Sequence, residues 1–318
     1  MNSRAYSAEQ PLELVFHNIH DHGVQIMDLW MNEVSTRCNG RVRFARSSGE
    51  DAGAIKDADL VRDVPAMGDR YPLLNLVQMP FIFPSSTVGS RVVAQLYAEF
   101  PELKSELSDV KVVGLALGAP LAIFSSQTWG PIRTLDDFKG ARTRSLSQID
   151  GVVAALGGKP VHVGWFEMPR LLETGALDAL ILGVLPGHMF KLADGPAPYC
   201  TLTGQTSITM HPMRIYMKWD SWKKLPHDIG QVIDEIGPAG KDCWFAVQSG
   251  LDSDSHLDQA LEYIQQKGEL IEITPDELER WRSLIQPEID AAVNKVAARG
   301  LPAQMFLERM KTLVADYS

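Results

Sequence analysis

Arg144 sits in the stretch DDFKGARTRSLSQIDGVVAALGG, residues 136–158, just before a helix expected to begin at Ser145 or Ser147. A guanidinium is a planar fork of N–H donors that matches a carboxylate, and the charged pair is stronger than a neutral hydrogen bond. A helix start adds unsatisfied backbone N–H groups and a partial positive charge. Together the two features describe a carboxylate site, which in an open α/β sheet belongs outside the carboxyl ends of the strands. A surface ion pair with Asp137 or Asp150 accounts for the same residue, and pattern alone leaves both readings open.

A second cluster is HNIHDH, with His17, Asn18, His20, Asp21 and His22. His20 and His22 in an extended loop have the donors for zinc. No paired Cys/His set recurs elsewhere, so the favoured reading is a cleft loop, with Asp21 as helix N-cap and the imidazoles neutral. Enzyme signatures are missing: the chain has no GxSxG, HExxH, GxxxxGK[ST] or GxGxxG. Asp136 and Asp137 fall where a helix N-terminus favours acids for structural reasons. No acid–base constellation of a hydrolase is visible among these motifs.

The elements that must position these residues can be read from periodicity. LELVF (12–16) reads as a strand, followed by a helix from about Asp21 with Val24, Met27, Trp30, Met31 and Val34 on one stripe. GRVRFA (40–45) is a second strand, and VKVVGLAL and LAIFSS have the unbroken apolar character of strands buried on both faces. From 141 the alternation is regular. A strand at 141–145, a helix ended by Gly157 and Gly158, a strand at 160–165, a helix closed by Gly175 and a strand at 176–182 predict βαβ units and a mostly parallel sheet. Near the end, Thr274 as N-cap, Pro275 and Glu277 open a helix running to Gly300, nearly 40 Å at helical rise. It is read as a brace across two lobes, with a dimerisation arm as the competing role.

Bulk properties exclude other classes. At 318 residues the chain is long enough for two cores. A net charge of −10, with scattered Lys and Arg, argues against nucleic acid and against an anionic membrane surface. No apolar run approaches the roughly 20 residues of a membrane span, and MNSRAYSAEQP has no apolar core of a signal peptide. Cys38, Cys200 and Cys243 lie far apart with no CxxC pair, which leaves the compartment undecided.

PIRTLDDFKGARTRS, followed by GGKPVHVGWFEMPRLLETGALDAL, closely resembles the solute-binding proteins of tripartite ATP-independent periplasmic (TRAP) transporters, dicarboxylate-binding type. In that family a PI-x-T-x-x-D-x-K-G-x-x-x-R run precedes an LGA-x-PV strand and an E-x-x-x-x-L-x-x-G-x-x-D helix–strand. VQMPFIF, the YCTLTGQT…WKKLP region and the long helix from Thr274 extend the likeness to nearly the whole chain from about Pro11. The resemblance implies a two-lobed α/β clam-shell in the periplasm that closes on an organic acid and delivers it to a membrane permease, without catalysis, cofactor or metal. One lobe would hold 11–122 plus about 213–250, the other about 123–212 plus 255–300 with the brace, and 301–318 would form a C-terminal helix. Arg144 falls on the family's carboxylate-binding arginine and Trp165 on a ligand-contacting aromatic position. His17, Asn18 and His20 become contacts from the opposite lobe. Gln205 falls where a polar residue follows a strand, and Arg70 and Tyr71 are placed near the cleft.

Two departures from the family pattern stand out, and the first, in two places, bears on the ligand. After Asp178 the family often reads Gly-Gln-Glu-Asn-Pro, with the Asn reaching the ligand; here the run is Ala179, Leu180, Ile181, Leu182 and Gly183. Around residue 122, where some relatives supply another arginine, the chain reads PLAIFSS. A dicarboxylate or polyhydroxylated acid would lose polar partners worth roughly 1–3 kcal/mol each. The expected ligand is therefore one carboxylate on an aromatic or branched body, with Leu182 in the pocket wall. A dicarboxylate or sugar acid, a sensor on the same fold and an enzyme using His17 or His20 remain the alternatives. The second departure is at 45–75, where the segment looks shorter than the family's helix-bearing one. Oligomeric state is left open.

Overall fold

A computed structural model of the chain describes residues 10–19, 24–49, 51–65, 70–204, 207–240 and 243–318; the side chains of Val24 and Gln148 are outside the description. In chain order the strands are β1 (Leu12–Asn18), β2 (Val42–Ser48), β3 (Leu60–Asp63), β4 (Lys111–Leu117), β5 (Leu121–Ser125), β6 (Arg142–Arg144), β7 (Lys159–Val161), β8 (Ala179–Gly183), β9 (Tyr199–Leu202), β10 (Pro212–Met217) and β11 (Glu269–Glu272). They form two sheets, ordered β2-β1-β3-β10-β4 and β11-β9-β5-β8-β6-β7.

The parallel β6, β7 and β8 bear out the mostly parallel sheet expected from the alternation at 141–182, and each sheet carries one strand that runs against the rest. β10 runs antiparallel to β3 and β4, and β5 antiparallel to β8 and β9. The cause is the way the chain changes lobes. β4 ends at Leu117, beside the carboxyl ends of β1 and β3, and three residues later β5 starts at Leu121 opposite Gly183, the last residue of β8. The return path leaves the end of β9 and enters β10 at Pro212, opposite Leu117. A strand that enters from the shared edge has to run against its neighbours. The carboxyl edges of the two sheets therefore face one another across the crossings, and a cleft at that place is where open sheets bind ligands. The crossings are bonded together, with Gly118 N donating to His211 O at 2.9 Å and Leu121 N to Thr209 O at 3.2 Å.

Two long helices also connect the lobes. Trp244–Lys267 packs on the helix Ser86–Glu99 and β4 at one end and on the helix Val184–Met189 and β11 at the other. It has 24 residues against 23 in the brace, and sequence periodicity did not reveal it. The brace, Pro275–Ala297, opens with Thr274 Oγ1 accepting from Glu277 N. Trp281 and Ile285 belong to the apolar core beneath β5 and β8, whereas Val293 and Val296 join the other lobe's core with Phe306 and Met310 of the helix Ala303–Tyr317. The 45–75 segment does carry a helix, Ala52–Asp57, capped by Asp51 accepting from Ala54 N at 2.9 Å. No helix among the described residues is long and apolar enough to cross a membrane.

Candidate functional site

Arg142 and Arg144 stand two residues apart in β6 and meet opposite fates. Arg142 clamps Asp178 at the foot of β8 through Nε at 2.8 Å and Nη2 at 2.6 Å. Burial raises the Asp178 pKa, but these bonds outweigh it and hold the carboxyl below its usual range. Arg144, at the carboxyl end of the strand, is 8% exposed, and among the described residues no carboxylate pairs with it. Its Nε has no hydrogen-bond partner, and burial pushes the guanidinium's pKa down.

The surface-pair reading fails on geometry. Asp137 caps its own turn, accepting from Arg133 N and from Thr134 N and Oγ1. Asp150 takes Ser145 Oγ at 2.6 Å and His162 Nε2 at 2.8 Å. The expected helix start is corrected too. Arg144 is followed by extended chain, one 3-10 turn at Ser147–Ile149 and a helix of six residues, Asp150–Ala155. Asp150, the first residue of that helix, already supplies a carboxylate there, so the helix start is not a free anion site.

The aromatic wall comes from the next two connections. β7 stops at Val161, short of the strand expected to reach 165, and Trp165 opens a 3-10 turn, Trp165–Glu167. Its ring lies 5.7 Å from the Arg144 guanidinium carbon and edge-on to Phe190, with centroids 5.3 Å apart. Phe190 is carried by the helix Val184–Met189, which approaches β5 so closely that a Cβ on Gly187 would fall 2.3 Å from the Phe124 ring. Leu182, 3% exposed near the end of β8, shares the apolar cluster that Trp165 and Phe190 pack against. The structure thus brings Arg144, Trp165 and Leu182 together.

The crossing adds a group that sequence reasoning missed. His211 Nδ1 is 2.8 Å from Gln78 Oε1, and Thr209 Oγ1 donates to Gln78 O at 2.7 Å. Burial first, and the Arg144 charge second, push the His211 pKa down to about 4, so the ring is neutral. A histidine in the field of an unpaired arginine would have marked the site, but no sequence spacing links the two.

The first lobe's candidates are engaged within their own sheet. His17, fully buried, bonds Ser47 Oγ at 2.9 Å and Gly49 O at 2.8 Å, using both ring nitrogens. Asn18 Oδ1 accepts from Arg62 Nη1 at 3.1 Å. Tyr71 is buried beside Arg214, which forms a two-pronged pair with Asp63 at 2.8 and 2.9 Å. Arg70 points elsewhere, onto Asp109 at 2.5 Å. His20, with Asp21 and His22, and Gln205 lie outside the described residues.

Residues 60–295 match the family model described as bacterial extracellular solute-binding protein, family 7 (DctP). Solved structures share the fold over nearly the whole chain. A TRAP periplasmic solute-binding protein from Desulfovibrio salexigens is 24% identical, covering 96% of this chain and 97% of that one, with TM-score 0.82. It is an open complex with the C-terminus of a symmetry mate in its ligand-binding site. A marine metagenome TRAP solute-binding protein specific for aromatic acids, in complex with 3-hydroxybenzoate, is 20% identical over 97% and 99% of the two chains, with TM-score 0.85. A third, from Bordetella bronchiseptica with bound (R)- and (S)-mandelate, is 18% identical over 97% and 100%, with TM-score 0.85. Likeness at these identities carries the two-lobed fold, and the family match, which spans well over half of the sequence, carries membership. The chain belongs to the bacterial extracellular solute-binding proteins of family 7.

Proposed function

We propose that this protein is a periplasmic receptor that closes on a small monocarboxylate with an aromatic or branched body and hands it to the membrane permease of a TRAP transporter. The observation that carries this reading is Arg144, a buried guanidinium that no carboxylate among the described residues pairs with. An isolated buried charge is costly, and a ligand carboxylate is the partner that removes the cost. Trp165, Phe190 and Leu182 offer an apolar surface beside it. Structural neighbours that bind 3-hydroxybenzoate and mandelate agree with such a pocket. Ligand energy released on contact with both lobes would favour the closed form, and no turnover is required.

A thermal-shift screen of carboxylic acids on the wild type and on Arg144→Ala tests this. A ligand at 100 times its Kd adds about 2.7 kcal/mol, which moves a midpoint by a few degrees. Aromatic or branched monocarboxylates should shift the wild type and leave the variant unmoved. A screen won by dicarboxylates would overturn the apolar-pocket part, and a variant that still responds would remove Arg144 as the anchor.

A further inference from the structure

We infer that the ligand of this site carries, besides its carboxylate, one hydroxyl group, and that His211, oriented by Gln78, is the residue that selects for it. This rests on the carboxylate-receptor reading above and adds a second polar anchor to it.

The argument starts from an incomplete set of hydrogen bonds. Gln78 is 2% exposed, yet among the described residues its Nε2 has no partner, an arrangement rare for a buried amide. Its Oε1 meets His211 Nδ1, so that nitrogen carries the proton and Nε2 of the ring presents a lone pair. Among the described residues no other side chain or backbone group bonds His211 Nε2. The pair therefore leaves one donor, the amide N–H, and one acceptor, the ring nitrogen. Turning the amide over exchanges the two roles and preserves the balance: the ring nitrogen then donates and the amide oxygen accepts. A hydroxyl, which donates once and accepts as well, complements either arrangement; a second carboxylate or an ammonium does not.

Position supports the same conclusion. His211 closes the return crossing, its carbonyl held by Gly118 N at the start of the outward one. Thr209, two residues before His211, takes Leu121 N on its carbonyl. Leu121 lies opposite Gly183 at the carboxyl end of β8, the strand beside which Arg144 ends β6, and the Arg144 charge also bears on the ring. A neutral imidazole beside a guanidinium accepts a hydroxyl proton without adding a second positive charge. Trp165 lies against Arg144 and packs on the apolar cluster that holds Leu182. A hydroxyl on the ligand is thus discriminated by a few groups on an otherwise apolar wall. Sites built to bond a hydroxyl reject the analogue lacking it, because their own polar atoms are then left unpaired.

The test is calorimetric titration with two matched pairs: mandelate against phenylacetate, and 3-hydroxybenzoate against benzoate. The first pair probes a hydroxyl next to the carboxylate, the second a hydroxyl on the ring. In the wild type the hydroxylated member of at least one pair should bind ten-fold or more tightly. His211→Phe and Gln78→Met should both bring that ratio close to one while the deoxy acid keeps its affinity within about three-fold. Gln78→Met is the safer variant should His211→Phe fail to fold, since it leaves the crossing backbone intact. Equal affinities within both pairs in the wild type would overturn the inference and leave the monocarboxylate reading standing. So would a preference that survives Gln78→Met and His211→Phe unchanged. Binding of none of the four acids, with Arg144→Ala indistinguishable from wild type, would remove both.

Discussion

Arg144 is the residue at which stability and binding pull in opposite directions. In the free protein its charge is buried beside Trp165 with no counter-ion, so an apolar replacement of similar length should relieve a cost rather than create one. Arg144→Met is expected to unfold, unliganded, at the same urea concentration as wild type or higher, by up to about 1–4 kcal/mol, while losing all response to acids. A fall of several kcal/mol in the unliganded variant would instead make the guanidinium structural. His211 supplies a second signal at this scale. Its folded pKa of about 4 lies below the ordinary histidine value, so between roughly pH 6.5 and 4 the unfolded chain takes up a proton that the folded one refuses. Stability should be complete above pH 6.5 and fall as pH drops towards 4, by about 2–3 kcal/mol less whatever the ring's partial exposure returns. Urea midpoints at pH 4.5 and 7 should converge in His211→Phe relative to wild type; equal slopes would mean that another group titrates. Arg144 was legible in the sequence because a charge at a strand end is conspicuous by type, whereas Trp165 was marked only by the family resemblance. Gln78 and His211 were not, since 133 residues separate them and only the chain's return crossing brings them together.

The elements divide in the same way between readable and hidden. The strands β1, β4 and β5 and the brace could be foreseen because their apolar periods or caps are local. The helix Trp244–Lys267 could not, because its inward face where it meets Ser86–Glu99 is Ser249, Gly250 and Ser253, which read as polar or small. Its contact there is close approach rather than apolar bulk. A Cβ on Gly250 would fall 2.4 Å from Thr87 Cα, and Asp254 accepts from Ser86 N at 2.8 Å and Thr87 N at 2.9 Å, closing the start of the neighbouring helix. Sequence logic and packing therefore give opposite signs for one substitution. In an exposed helix Gly→Ala gains about 1 kcal/mol, but here the added methyl meets backbone that cannot swing aside. Gly250→Ala should destabilise by about 1–3 kcal/mol in urea unfolding. A gain would show that the two helices have room between them.

At the scale of the whole molecule, the brace is fixed at both ends to bodies that have to turn if the cleft is to close. Trp281 and Ile285 are locked into one lobe's core, with Trp281 Nε1 and the backbone N of Leu135 both held by Glu277 Oε1, at 2.9 and 2.5 Å. Val293 and Val296 are locked into the other. Between these anchors lies Pro287, inside the helix on its exposed face. Proline has no N–H to give the carbonyl of Ser283, so the ladder is interrupted where bending would relieve strain during closure. Pro287→Ala touches no neighbour in the core and restores that bond. It should raise the unfolding free energy of the unliganded protein by about 1–3 kcal/mol, the ordinary difference between the two residues in a helix interior. The same change should weaken ligand binding, because part of the ligand's energy then goes into bending an unbroken helix. Small-angle scattering with and without a saturating acid reads the closure directly: the wild type should contract, and the variant should need more ligand to contract as far. If Pro287→Ala stabilises the protein yet leaves affinity and contraction unaltered, the brace does not flex at the proline, and the turn between lobes is carried by the two short crossings alone.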